Sequence, residues 1–374
     1  MTNDTNINNR FYFKALNSNK LRRLSRDWLG ISAVDQKQGC LKIFRPLDID
    51  DAISWLQSGK WQSYPKIRSG LVHCTHKQTG LPFNITVADG GSRAYLEPKK
   101  NAILVAGDKK TTTKSLRITA QGDVEKSVSQ TSNSSKDALN LMLATELLKK
   151  NDISSQFAAR DRHGYRTPEG VITNKTYSDL AEGNLHNRIH ASFKNLNKPE
   201  LREKTLKGLI ASLMPAMHEL KKWHSKNIVH RDIKPENFFE KDGQFSLAAI
   251  DWATDRPAKD PCGTRLFYLP ALKFQRDLPI HLMKRGDVFA LGCSLLTILN
   301  CRYSDYQKGL NDTKSFDDWL TLFNKTKSEI LSHKNNDSKF ETELRQLVFE
   351  TISPSSTLNI SDVVQKLESL LKIT

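Results

Sequence analysis

Residues 229–239 read VHRDIKPENFF, and no other stretch restricts the chain so tightly. One short loop carries a carboxylate (Asp232), a cation two residues on (Lys234) and an amide five residues on (Asn237). Phosphoryl transfer uses such a set. The carboxylate orients a hydroxyl and accepts its proton, the cation meets developing phosphate charge, and the amide oxygen takes Mg²⁺. Upstream, residues 201–224 place Leu206, Leu209, Ile210, Leu213, Met217, Leu220 and Trp223 at spacings of three and four. That periodicity predicts one buried face of a long helix running up to the loop, kinked where Pro215 removes an interior hydrogen bond.

The loop resembles the H-R-D-x-K-P-E-N catalytic loop of serine/threonine protein kinases at every defined position. The resemblance extends downstream. Asp251-Trp252-Ala253 is similar to the family's D-F-G, which makes Asp251 a second metal-binding carboxylate beside Asn237. Cys262-Gly263-Thr264 is similar to the start of the segment that holds the peptide substrate, and the Thr264 hydroxyl is expected to bridge Asp232 and Lys234. The family's glutamate in this segment is replaced by Leu272, and its arginine partner is missing from Ser353-Pro354-Ser355-Ser356-Thr357. Removing one partner would strand a buried charge at about 3–5 kcal/mol, whereas removing both can be neutral, so a refitted domain is expected rather than a decayed one. Residues 287–299 (DVFALGCSLLTIL) resemble a family helix, with Asp287 read both as a helix-start cap and as a buried anchor for the loop backbone.

Before residue 177 the pattern is looser. YSDLAEGNL resembles the hinge, with Asp179, Leu180 and Ala181 meeting the adenine edge. Residues 136–150 predict a helix with Leu139, Leu143 and Leu147 on one stripe, and Glu146 as its ion-pairing acid. Twenty residues earlier, Val124-Glu125-Lys126 on a strand at 123–131 offers Lys126 as the phosphate-orienting lysine, with Lys109 or Lys114 as alternatives. Strands at 101–107 and 115–121 flank a turn, 107–114, whose one glycine, Gly107, stands where the family has three. Glycines let backbone N–H groups approach phosphate, so Lys109 and Lys110 are candidates to supply charge instead. Gly90-Gly91-Ser92 is the alternative loop. Leu71–Val87 reads as a hairpin turning at Gln78-Thr79-Gly80.

A net charge of +16, from 57 basic and 41 acidic residues, favours an acidic protein or membrane surface as partner. The basic residues are dispersed without interleaved aromatics, which speaks against a dedicated nucleic-acid platform. Five cysteines without C-x-x-C spacing fit a reducing cytosol, and no apolar run nears the ~18 residues of a membrane span. His73-Cys74-Thr75-His76 and the His186/His190 pair lack the further ligands of a metal site.

These readings together imply an α+β, bilobal protein-kinase-like fold with a β-rich small lobe and a helical large lobe. Residues 1–95 are expected to form an N-terminal extension, 96–178 the small lobe, 179–183 the hinge and 184–374 the large lobe. The implied activity is transfer of the ATP γ-phosphate to protein hydroxyls with Mg²⁺, in the cytoplasm or in a host cytosol as a delivered effector; a viral kinase also fits. A nucleotide-binding pseudokinase or scaffold, and a kinase-fold small-molecule phosphotransferase, are the alternatives.

Overall fold

The computed structural model describes residues 71–75, 82–88, 93–98, 103–106, 110–119, 124–132, 135–153, 157, 161–166, 172–248, 252–260, 262–264, 267, 269–273, 275, 277–299, 315–332, 338–353 and 355–373. The chain divides into two compact units, residues 1–142 with 159–180, and residues 143–158 with 181–374. The described part of the first is dominated by strands and that of the second by helices, as the α+β reading requires. No helix among the described residues is long and apolar enough to cross a membrane.

The first unit is an antiparallel sheet. Its strands are β1 (Leu71–Thr75), β2 (Pro82–Ala88), β3 (Arg93–Pro98), β4 (Ile103–Ala106), β5 (Lys110–Thr119), β6 (Val124–Ser132), β7 (Asp161–Arg166) and β8 (Ile172–Asp179). They pair in the order β1-β2-β3-β5-β6-β8-β7, with β4 also on β5. The predicted 71–87 hairpin is β1–β2, and the lysine strand is β6. The expected boundary at residue 95 falls inside β3, whose Arg93–Leu96 pair with β5, so the leading strands extend this sheet. The turn expected at 107–114 is also shortened: Lys110 opens β5 and Lys114 lies within it, opposite Val128. The β-branched run Thr111–Thr113 favours extended backbone over a turn. Tyr95 stacks on Tyr177, ring centroids 3.9 Å apart, and the buried Ser129 stands opposite Tyr177 in the β6–β8 register.

Helix α1 (Ser135–Lys150) follows β6, as predicted. Its buried face is Leu141, Ala144 and Leu148, whereas Leu143 is 55% exposed. The expected Leu139–Leu143–Leu147 stripe is thus rotated by about one residue; Leu147 only flanks the cluster of Leu148, Ile153, Trp223 and Ile228. With leucines on two faces, periodicity alone could not choose between them.

The second unit adds β9 (Gly183–Asn184), α2 (Leu185–Leu196), α3 (Pro199–Ser225), β10 (Phe238–Lys241), β11 (Gln244–Leu247), α4 (Pro270–Lys273), α5 (Ile280–Ile298), α6 (Phe316–Ser332), α7 (Lys339–Ile352) and α8 (Ile360–Leu370). Every residue of the predicted apolar face of α3 is buried, and the helix continues through Pro215. At the centre of its supports lies an ionic network. Arg202 on α3 donates through Nε to both carboxylate oxygens of Glu341 on α7, at 2.8 and 3.0 Å, and through its other nitrogens to the carbonyls of Leu196 and Leu299. Arg345 donates to the same carboxylate at 2.8 Å.

Glu219, also on α3, accepts the backbone N–H of Leu247 at 2.7 Å. Burial pushes its carboxyl up to about 7, against hydrogen bonds from Leu247 and Ser246 that pull it down. Because the folded value lies above the unfolded one, the stabilising contribution is complete below the unfolded value and is lost as pH rises through about 7. Glu219→Gln keeps an acceptor for Leu247 and cannot ionise. Its melting temperature should match wild type near pH ~5 and exceed it near pH ~8.5, well to either side of the shifted value. A pH-independent difference in calorimetry would refute the assignment.

Candidate active site

The site begins with support from below. α3 ends at Ser225, and the chain then passes Asn227 in the left-handed region (φ 59°) and pairs Val229 with Thr254 in both directions, at 2.9 and 3.1 Å. Two backbone N–H groups then point at one side chain: His230 donates to Asp287 Oδ2 and Arg231 to Asp287 Oδ1, each at 2.8 Å. His224 Nε2 adds a third hydrogen bond to Oδ2 at 3.0 Å. Asp287 is 2% exposed. Burial alone would raise its carboxyl, but the hydrogen bond and charge of His224, with His230 behind, hold it below the usual carboxylate range. The helix-cap reading is corrected here. α5 starts at Ile280, so Asp287 lies two turns inside it, and its oxygens are committed to the loop rather than to helix N–H groups.

His230 is fully buried and has a defined tautomer. Its Nδ1 accepts the N–H of Asp232 at 3.3 Å, so Nε2 carries the hydrogen and donates to the carbonyl of Ala248 at 3.0 Å. Burial, the leading cause, lowers its pKa and keeps the ring neutral. Arg231 takes φ 69°, a strained conformation for a side chain of its size, held by Asp287 on one side and by its guanidinium donating to the carbonyl of Asp260 at 2.8 Å on the other.

Three donors converge on Asp232. Thr264 N–H reaches Oδ1 at 2.7 Å, Asn237 Nδ2 reaches Oδ2 at 2.8 Å, and Lys234 Nζ stands 3.1 Å from Oδ2. Asn237 Nδ2 also donates to the Asp232 carbonyl at 2.7 Å, which leaves its Oδ1 as a neutral acceptor. Lys234 Nζ donates to the Thr264 hydroxyl at 2.7 Å. The expected Thr264 bridge exists with one change: its hydroxyl takes Lys234, while its N–H, not its hydroxyl, takes Asp232.

Gly263 makes that approach possible. At φ 96°, a Cβ there would lie 2.2 Å from the Arg231 carbonyl oxygen and 3.0 Å from Asp232 Oδ1. Beside it, burial pushes the Cys262 thiol up to about 12, so it is an inert packing group.

Of the other expected site residues, Lys126 and Glu146 have exposed side chains, the first on β6 and the second on α1. Asp179 closes β8 and is followed by half-buried Leu180 and Ala181. Sequence reasoning missed its partner: Arg117 on β5, 9% exposed, lies 3.2 Å from Asp179 and contacts Glu125. Gly107, Lys109 and Asp251 lie outside the described residues.

The sequence profile of the protein kinase domain family matches residues 126–366. Over 112 residues the chain is 35% identical to the mouse inactive serine/threonine-protein kinase PLK5, covering 28% of this chain and 17% of that protein. The rat interferon-induced, double-stranded RNA-activated protein kinase is 27% identical over 150 residues, 38% of this chain and 26% of its own length. The matches therefore span only about a quarter or less of these relatives. A solved ROP18 kinase domain in complex with AMP-PNP and sucrose superposes with a TM-score of 0.52 over 84% of this chain and 87% of its own. At 14% identity that likeness is one of fold.

Replacing Asp287 with Asn would turn one accepting oxygen into a donor facing His224 and a backbone N–H. Unfolding free energy should fall by about 2–4 kcal/mol, the cost of buried donors left unpaired. Urea melts of Asp287→Asn showing less than about 1 kcal/mol of loss would overturn the anchoring role.

Proposed function

The chain belongs to the protein kinase domain family, matched over residues 126–366, and on that premise we propose that it is an active serine/threonine kinase moving the ATP γ-phosphate to protein hydroxyls. The observation that carries this reading is the convergence of Lys234, Asn237 and the Thr264 N–H on Asp232. Those donors fix the orientation of Asp232, so it can receive the proton of an incoming hydroxyl. Lys234, already turned into the same site, meets charge developing on the transferred phosphoryl group. Asn237, with both amide hydrogens held by Asp232, offers Oδ1 to Mg²⁺, and Asp251 is assigned as the second metal carboxylate. Bound Mg²⁺ supplies positive charge against the triphosphate. Lys126 and Glu146 are assigned to orient the α- and β-phosphates, and residues 179–181 to meet adenine. A protein is the expected phosphate acceptor.

A second reading, a nucleotide-binding pseudokinase, draws on the similarity to an inactive kinase and on the exposed Lys126 side chain. The two separate cleanly. With radiolabelled ATP and mixed protein substrates, wild type should label protein, and Asp232→Asn and Lys126→Met should each lower the rate at least ~100-fold, the scale of losing a positioned base or electrostatic group. Nucleotide binding without any labelling by wild type would establish the pseudokinase.

The segment after Asp251 supports a further part of the reading. Residues 252–264 contain few hydroxyls, and Arg231 is satisfied by the Asp260 carbonyl. Ala258 and Leu278 pair in both directions, at 3.1 and 2.6 Å, which pins the segment on its far side. The enzyme is therefore expected to work without an activating phosphate. Phosphatase-treated and untreated protein should show equal rates; an enzyme inert until an upstream kinase acts on it contradicts this.

A further inference from the structure

We propose that the groove between α2 and α3 docks an acidic, leucine-bearing segment of the protein substrate. This rests on the kinase reading above for the word substrate, but not for the binding itself. The groove has a volume of about 380 Å³, and its walls are two helix faces. α2 contributes Arg188, Ser192 and Asn195, and α3 contributes Leu201, Lys204, Thr205, Gly208, Leu209 and Ser212.

Charge chooses the occupant. Two cations, one from each helix, flank the groove and no carboxylate lines it. Lys204 is exposed and forms no ion pair among the described residues. Arg188 reaches Glu240 at 3.2 Å while remaining 51% exposed, so an incoming carboxylate can share it. The chain as a whole carries +16, which steers acidic partners toward it. Shape adds the apolar requirement. A Cβ built on Gly208 meets nothing within 4 Å, which leaves an open notch there, and Leu201 and Leu209 supply the apolar part of the lining for an aliphatic side chain. A glycine inside a 27-residue helix lowers helix propensity, and here the missing side chain opens the groove floor.

The probe is a fluorescein-labelled decapeptide alternating aspartate and leucine, with serine replacing aspartate as control, read by anisotropy on the full chain without nucleotide. The acidic peptide should bind, the serine version should not, and binding should weaken with salt. Lys204→Glu should lower affinity at least about tenfold, and Gly208→Trp, which fills the notch, by a similar factor. Lys194→Glu, an exposed cation elsewhere on α2, should change it less than about twofold. Gly208→Ala should retain binding and confirms that the helix tolerates substitution.

Equal losses in Lys194→Glu and Lys204→Glu would show general electrostatic attraction and overturn the groove. So would an unchanged affinity in a folded Gly208→Trp. A dimer in the ultracentrifuge that Gly208→Trp splits would assign the groove to a second copy, also against the proposal. Asp232→Asn should bind the peptide like wild type. A chain that binds through Lys204 yet never transfers phosphate keeps the groove and loses the kinase reading; one that transfers phosphate with no Lys204 effect does the reverse.

Discussion

A single buried carboxylate organises the loop that carries Asp232. Asp287 sits inside α5, yet its two oxygens accept the N–H groups of His230 and Arg231 and a hydrogen of His224. Those bonds hold Arg231 in a conformation it would otherwise leave, and they turn the chain so that Asp232 faces Lys234, Asn237 and Thr264. A buried charge with three donors is stable only while all three remain. The loop is rigid because opening it would leave that charge unpaired in a low-dielectric interior.

The segment carrying Thr264 closes on this loop through backbone contacts. Gly263 lies so near the Arg231 carbonyl that no side chain fits, and Thr264 approaches Asp232 only because of that clearance. Arg231 reaches back to the Asp260 carbonyl. Loop and segment thus hold one another.

The missing glutamate–arginine pair has a physical counterpart elsewhere. Leu272 is buried, with Cδ1 2.8 Å from where a Gly286 Cβ would stand. Arg285, its neighbour on α5, donates to the carbonyls of Ser353 and Ser356 at 2.9 and 3.1 Å, tying down the loop that lacks its own arginine. Burial lowers this guanidinium to about 10, still charged at neutral pH. Arg202, Glu341 and Arg345 form a second buried ionic knot between α3 and α7. Neither substitution could be found from spacing. The motif that vanished marked the place, but Arg285 lies 68 residues in sequence from the Ser353 carbonyl it binds, and Arg202 lies 139 from Glu341.

What the sequence determined by itself was local chemistry and periodicity: the Asp232–Lys234–Asn237 set, the apolar face of α3 and the strand bearing Lys126. These depend on residues within a few turns of one another, so the order of amino acids suffices. Three-dimensional packing decided the rest. Which leucine stripe of α1 is buried, where α5 begins, which atom of Thr264 meets Asp232, and how the leading strands join the sheet all depend on partners distant in sequence. For these positions the local pattern permits several answers, and burial against a particular neighbour selects one.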